Sequence, residues 1–432
     1  MLSSIAVIGA GYVGVSSATA FAKLGHRVTL AERDLIRVKS LGEGRVSFFE
    51  PGLDRAFSRM VRSGKIRVTS DTVDATRGSG LLFLCVGTPP NRDGSFDSSQ
   101  LLVASKECGE GLRGAPFQVV VVRSTVLPGT TDGLVIPTLE AASGRRVGEF
   151  GVCVNPEFLQ EGRALHDSLN PSHIVIGEAD RRSGLRLWRL YARFRCPKIR
   201  VGLRVAEAIK YATNAFLSTK VTFANEIANI ATRLRVDSDE ILRGMALDPR
   251  INPQFLQPGA GFGGSCLPKD LRALSTFARS LGYEPLLLDS VLASNDRQPL
   301  EVVRLLEEEL GDLRDCRIAI LGLSFKHGTD DVRGTRALPI AEELNRRGAH
   351  VVGYDPRAGA AFAERAPFLE LASSVASAVD RADGCIIQAS WKEFVSIPSA
   401  DFSRMKNRVV VDARRTWTVE RVPSGVRYRR VG

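Results

Sequence analysis

The sequence predicts an α/β fold class: two doubly wound domains joined by a long central helix and a helical region. Three observations carry this. A strand, a glycine-rich turn and a helix open the chain, the same strand grammar returns in its last third, and an unbroken helical stripe lies between them. With 432 residues, 44% of them hydrophobic, the chain is long enough for two or three ordinary cores.

Ile5-Ala6-Val7-Ile8 is a short apolar run leading into Gly9-Ala10-Gly11-Tyr12-Val13-Gly14, after which Val15 to Leu24 reads as a helix ending at Gly25. The next strand, Arg27 to Ala31, ends at Glu32, about twenty residues past the glycines, where a Rossmann unit places the acid that holds a ribose. A carboxylate there accepts ribose hydroxyls and repels a 2′-phosphate, which selects NAD over NADP. Arg33, next in the chain, is the feature that would suit NADP. Leu81 to Val86 and Gln118 to Val122 read as further strands, each running into a polar loop, Gly87-Thr88-Pro89-Pro90 and Arg123-Ser124-Thr125. Ligands of open α/β sheets lie beyond the carboxyl ends of strands, so these loops are expected to line the ligand crevice.

Val205, Ile209, Ala212, Phe216, Phe223, Ile227, Ile230 and Leu234 recur at helical spacing. They predict one helix of about thirty residues, on the order of 45 Å long. A stripe this long joins domains or pairs with a second copy. Lys210 and Asn214, four apart, share a face beside it.

In the last third, Arg317 to Gly322 mirrors the opening strand and Val351 to Asp355 mirrors the strand ending at Glu32. Gly384 to Ala389 and Val409 to Asp412 mirror the two strands that follow. This second Rossmann-like domain lacks the full glycine fingerprint, so it is expected to hold a different ligand or the distal part of one.

The segment Gly261-Phe262-Gly263-Gly264-Ser265-Cys266-Leu267-Pro268-Lys269-Asp270 frames a cysteine between glycines and an acid. Glycines admit a bulky group close to the backbone, and Lys269 or Asp270 can share protons with a thiol. A buried, inert cysteine beside a tight turn fits the same residues.

Seven scattered cysteines without zinc spacing point to reduced thiols and no metal site. No apolar run is long enough to span a membrane, and the N-terminus enters a strand pattern without a signal region, so a cytoplasmic protein is expected. The net charge of +11 favours anionic partners, yet no basic-aromatic module or helix-turn-helix signature argues for nucleic acid.

Ordered blocks along nearly the whole chain are similar to the nucleotide-sugar 6-dehydrogenases, the family of UDP-glucose and GDP-mannose dehydrogenases. They are Gly9 to Gly14, Glu50-Pro51-Gly52-Leu53, Val86 to Pro89, Ser124-Thr125 with Pro128-Gly129-Thr130, Asn155 to Leu159, Glu207 to Asn214, Gly261 to Asp270, Leu323 to Lys326, and Thr329-Asp330-Asp331 through Arg333. The resemblance implies NAD-dependent, four-electron oxidation of a sugar C6 alcohol to the acid through a Cys266 thiohemiacetal and thioester. It implies that Lys210, Asn214, Asp270, Thr125 and Glu157 serve proton transfer, oxyanion stabilisation and water positioning. Cofactor contacts are carried to Gly9, Gly11, Tyr12, Val13, Gly14, Glu32, Arg37, Thr88, Thr125 and Arg333. Substrate contacts are carried to Phe158, Leu159, Glu161, Lys210, Asn214, Arg250, Phe255, Leu256, Phe262, Gly263, Phe325 and Lys326, with residues like Arg250 reaching a partner subunit's site in family members.

The resemblance further implies an NAD-binding domain over 1–203, a central helical dimerisation domain carrying Cys266 over 204–298, a nucleotide-sugar domain over 299–432, and a homodimer or higher homo-oligomer. Asp248-Pro249-Arg250-Ile251, Phe255-Leu256 and Ser390 to Phe394 look more like UDP-glucose enzymes; Val121 to Thr130 and Lys220 to Glu226 look as much like GDP-mannose enzymes. The first set lies nearer the expected substrate site and favours UDP-glucose. Three departures stand out: Glu32 where Asp is commoner, Leu267 where many UDP-glucose enzymes have Phe, and Gly334-Thr335-Arg336 where an acid-Ser-Pro run is usual.

Overall fold

A computed structural model describes residues 3–91 and 93–432 of the chain. The chain divides into two units, Met1–Thr213 and Asn214–Gly432.

The first unit is built on eight strands: β1 (Ser4–Ile8), β2 (Arg27–Ala31), β3 (Ile66–Thr69), β4 (Leu81–Leu84), β5 (Val119–Val122), β6 (Gly151–Val154), β7 (Ile174–Glu178) and β8 (Lys198–Gly202). Their order across the sheet is β3-β2-β1-β4-β5-β6-β7-β8. The first six run parallel; β7 pairs antiparallel to β6, and β8 runs parallel to β7. Every residue of β4, β5 and β6 is buried, as expected of strands covered on both faces. Each valine of β5 contributes about 1.5–3 kcal/mol by leaving water. The order reverses between β1 and β4, which locates the ligand crevice at their carboxyl ends.

Helix α1 (Tyr12–Lys23) begins inside the glycine run, three residues ahead of the expected Val15. The backbone is already helical there because Gly11 caps the helix from an extended conformation (φ −73°, ψ −171°). The short helix α2 (Leu35–Gly42) follows β2 and is capped by the Asp34 carboxylate, which accepts from the Ile36 and Arg37 N–H groups.

The second unit carries six parallel strands: β9 (Arg317–Leu321), β10 (His350–Tyr354), β11 (Glu370–Leu371), β12 (Gly384–Ile387), β13 (Val409–Asp412) and β14 (Arg427–Arg430). Their order is β11-β10-β9-β12-β13-β14, the same winding as the first six strands of the other sheet. The mirrored strands thus occupy matching sheet positions. Asp355, which follows β10 as Glu32 follows β2, accepts from the N–H groups of Leu323, Ser324, Arg357 and Ala358, the Ser324 hydroxyl and the Trp391 indole. A carboxylate so fully engaged is not open to a ribose.

The long helix α3 runs Leu203–Leu234, 32 residues. The apolar stripe is not core: Val205, Phe216, Phe223, Ile230 and Leu234 are exposed, Phe216 at 65%. The buried side carries Lys210, Asn214, Ser218, Thr222 and Asn225. On that side Ser218 donates to the Asn214 carbonyl one turn earlier at 2.9 Å. Helices α4 (Leu267–Ser280) and α5 (Leu286–Leu310) complete the elements that position the chemistry. Among the described residues no helix is long and apolar enough to cross a membrane.

Candidate active site

At the carboxyl end of β1 the glycines are required by space. A Cβ on Gly9 would sit 2.8 Å from the Cys85 carbonyl oxygen, at a backbone φ of +95°. A Cβ on Gly14 would collide with the Gly9 carbonyl. At Gly11, by contrast, a Cβ would meet nothing within 4 Å, so this face of the turn is open. No side chain caps the N-terminus of α1 and no acid lies in its first turn, leaving N–H donors and the positive helix end for an anion. Glu32 accepts from the Ala10 N–H at 3.1 Å and pairs with Arg37 at 3.2 Å, while Arg37 also donates to the Ala10 carbonyl at 2.5 Å. Tyr12 bonds through its hydroxyl to Glu50, a buried acid that also accepts from Gly162 and Ala164 at 2.7 Å. Thr88 donates to the Thr125 carbonyl at 2.9 Å, tying together the loops after β4 and β5.

After β6, the Glu157 carboxylate is held by the Leu159 N–H at 2.6 Å and by Lys210 Nζ at 3.0 Å. Both charged side chains are about 95% buried. Burial alone would push the Glu157 carboxyl up, but the Lys210 ammonium, the Leu159 N–H and the Arg123 guanidinium outweigh it and hold it below the ordinary value. Phe158 lies 5.4 Å from Lys210 Nζ and packs on His173 at 4.1 Å between ring centroids. Leu159 and Glu161 continue this half-buried loop. Beneath it, Arg123 donates to Ser17 and to Asn155, two residues ahead of Glu157.

In the second unit, Cys266 caps the N-terminus of α4 and is exposed, whereas Cys85, Cys108, Cys153 and Cys385 are buried. Cys266 is therefore not a buried cysteine. Asp270, four residues on and 1% exposed, accepts from Asn214 Nδ2 at 2.6 Å and from Lys269 Nζ at 2.6 Å. The glycines ahead of Cys266 are again forced. A Cβ on Gly261 (φ +103°) would fall 2.6 Å from Asn295 Oδ1, one on Gly264 (φ +85°) 2.8 Å from the Phe325 ring, and one on Gly263 against the Gly334 carbonyl. Phe262 and Leu256 are buried, Phe255 holds a positive φ of 63°, and Lys326 Nζ stands 5.6 Å from the Phe325 ring.

Family models match almost the whole chain: the UDP-glucose/GDP-mannose dehydrogenase family NAD binding domain over residues 3–195, its central domain over 204–297 and its UDP binding domain over 319–419.

The chain belongs to the UDP-glucose/GDP-mannose dehydrogenase family.

It is 41% identical to UDP-glucose 6-dehydrogenase AglM of Haloferax volcanii, with 96% of this chain and 97% of that one covered. It is also 41% identical to a GDP-mannose 6-dehydrogenase of Pseudomonas putida, covering 81% of this chain and 80% of that one. A solved UDP-glucose dehydrogenase from Pyrobaculum islandicum superposes with a TM-score of 0.91 at 38% identity, covering 99% and 97%. As a member of this family the chain is an NAD-dependent nucleotide-sugar dehydrogenase. The open Gly11 face, the uncapped helix end and the carboxylate of Glu32 fit that cofactor.

The candidate residues gather in groups. In the first unit, Glu157, Phe158, Leu159 and Lys210 form one contact group, and Thr88 with Thr125 another. In the second, Asn214 meets Asp270, and the Gly261–Gly264 run packs on Phe325. Arg250 and Arg333 stand apart as exposed side chains, each paired with the acid two residues before it, Asp248 and Asp331. Sequence reasoning placed Arg123 in the crevice loop after β5 without giving it a role, and passed over the carboxamides of Asn295 and Gln298. A lone arginine closing a run of four valines, and two buried amides three apart on an amphipathic helix, are the signals that would have found them.

Proposed function

We propose that this chain oxidises the C6 hydroxyl of UDP-glucose to the carboxylate of UDP-glucuronate, with Cys266 carrying the carbon between the two oxidation levels. The observation that carries this reading is the exposed Cys266 thiol at the head of α4, one turn before the buried Asp270 with its Asn214 and Lys269 partners. NAD supplies a two-electron hydride acceptor for each of the two oxidations.

The chain's residues do the rest. The Cys266 sulfur adds to the C6 aldehyde, and the new alkoxide takes a proton, giving a thiohemiacetal. Loss of hydride leaves a thioester, and water cleaves it to carboxylate and free thiol. A helix N-terminus favours negative charge on the sulfur. Lys210 and Asn214, one turn apart on α3, are suited to stabilise oxyanion character, and Asp270 to exchange protons. Glu157, kept ionised, and Thr125 are assigned to the hydrolytic water. Arg250 and Lys326 supply positive charge for the diphosphate, and Phe158, Leu159, Glu161, Phe255, Leu256, Phe262, Gly263 and Phe325 shape the sugar nucleotide site. Gly9, Gly11, Tyr12, Val13, Gly14, Glu32, Arg37, Thr88, Thr125 and Arg333 are assigned to the cofactor.

In this reading residues 1–203 hold the dinucleotide, 204–298 carry the nucleophile and the contact between copies, and 299–432 hold the nucleotide handle, in a cytoplasmic homodimer or larger assembly. The exposed stripe of α3 and the exposed Arg250 side chain support a partner copy. UDP-glucose is preferred because the Haloferax relative aligns over 96% of this chain and the GDP-mannose relative over 81%.

The test is NADH formed per sugar consumed with UDP-glucose, GDP-mannose and UDP-N-acetylglucosamine. Two per UDP-glucose is expected. Two per GDP-mannose would transfer the assignment to that sugar, and one per sugar would remove the role given to Cys266.

A further inference from the structure

The ten residues ahead of Cys266 cross the interior of the second unit without regular structure. From Pro258 to Phe262 every residue is buried. Buried backbone outside helices and sheets must find partners elsewhere, and here carboxamide side chains provide them. Gly259 donates its N–H to Asn225 Oδ1 at 2.7 Å and accepts on its carbonyl from Gln298 Nε2 at 2.9 Å. Three residues on, Phe262 donates to Asn295 Oδ1 at 2.7 Å, and its carbonyl accepts from Asn295 Nδ2 at 3.1 Å. Each clamped residue is thus held at both its donor and its acceptor, the pattern one strand offers another. Gln298 is itself oriented by Asn229, which donates to its Oε1 at 2.9 Å.

The support beneath the clamp is equally specific. Pro299 lies inside α5 and has no N–H for the carbonyl four residues earlier, which is that of Asn295. Arg336 fills this vacancy, donating Nη1 to the Asn295 carbonyl at 3.2 Å. Its aliphatic chain also lies close to where a Gly261 side chain would be. Asn295, Gln298 and Arg336 are all largely buried.

We propose that Asn295 and Gln298 are positioning residues for the nucleophile, and that Arg336 seats Asn295. They touch no reacting atom; they fix the backbone track that ends, four residues after Phe262, at Cys266. The inference rests on the role given above to Cys266. The first oxidation of the sugar needs no thiol, whereas the second needs sulfur bonded to C6. A displaced track therefore separates the two oxidations.

The experiment measures NADH per UDP-glucose consumed, with hydroxylamine present to trap aldehyde, for the full-length wild type, Asn295→Ala, Asn295→Asp, Gln298→Ala and Cys266→Ser. Asn295→Ala is expected to keep the first oxidation within about threefold, to slow the second on the order of 10²-fold and to release trapped aldehyde. Its NADH ratio then falls from two towards one. Asn295→Asp, which keeps the acceptor for the Phe262 N–H and loses the donor, and Gln298→Ala shift the ratio the same way by less. A purely structural role lowers the folded fraction and slows both oxidations together, so a ratio held at two in all three variants overturns the inference. If Cys266→Ser also gives two NADH per sugar, the role of the thiol fails first; if Cys266→Ser loses the second oxidation and the amide variants do not, only the positioning role fails.

Discussion

Lys210 Nζ lies 3.0 Å from Glu157 Oε1, and both side chains are almost wholly withdrawn from solvent. Removing one partner of such a pair strands the other charge, at a cost of about 3–5 kcal/mol. Glu157→Gln is accordingly expected to destabilise the protein by that amount at pH 7, read by urea unfolding. Glu157→Gln with Lys210→Met recovers much of the stability and none of the turnover.

The same pair fixes a pH dependence. The folded Glu157 carboxyl ionises below its ordinary value of 4.5, so its contribution is complete above that pH and is lost as acid protonates the folded group. The stability gap between wild type and Glu157→Gln is expected to stay constant from pH 7 to about 5 and to close below 4.5. A gap that widened in acid would contradict the assigned direction.

Cofactor choice follows from Glu32 and Arg37. In Glu32→Ser the Arg37 guanidinium loses its carboxylate partner and becomes available to a 2′-phosphate. The ratio of kcat/KM for NADP to that for NAD is expected to rise by about 10- to 100-fold, most of it through KM.

Gly261→Ala and Gly264→Ala introduce a Cβ at positive φ, 2.6 Å from Asn295 Oδ1 and 2.8 Å from the Phe325 ring. Each combines backbone strain with a collision, and each is expected to lower the midpoint of thermal unfolding. Gly11→Ala meets open space in the protein alone, so its folding should be spared while its affinity for NAD falls; calorimetry of the two kinds of variant would separate these outcomes.

Phe216 and Phe223 stand outward on α3. If they lie against a second copy, Phe216→Arg with Phe223→Arg yields a monomer in sedimentation velocity where the wild type sediments as a dimer or larger. An unchanged distribution would place the contact elsewhere.

The strands were legible because buried parallel strands spell continuous apolar runs, as in Val119–Val122, and turns spell glycine. Periodicity also gave the length of α3 but not which side is covered. A helix whose inner side bears Lys210, Asn214 and Asn225 inverts the usual rule, since those side chains meet partners far away in sequence such as Glu157, Asp270 and Gly259. Cys266 was legible through its neighbours. Asn295 and Gln298 were not, because an amide that bonds backbone leaves no local pattern in the chain.

Asp355 and Glu32 stand at the same station of two sheets wound alike, and only the arrangement of donors around them differs. For anyone wishing to re-engineer the second sheet to accept a dinucleotide, importing glycines would not be enough. The loop after β9, the turn after β10 and Trp391 would all have to give up a shared acceptor, and each would need a new one. Specialisation here is a matter of what an acid has already been committed to, and that commitment makes the two halves of the molecule non-interchangeable despite their common winding.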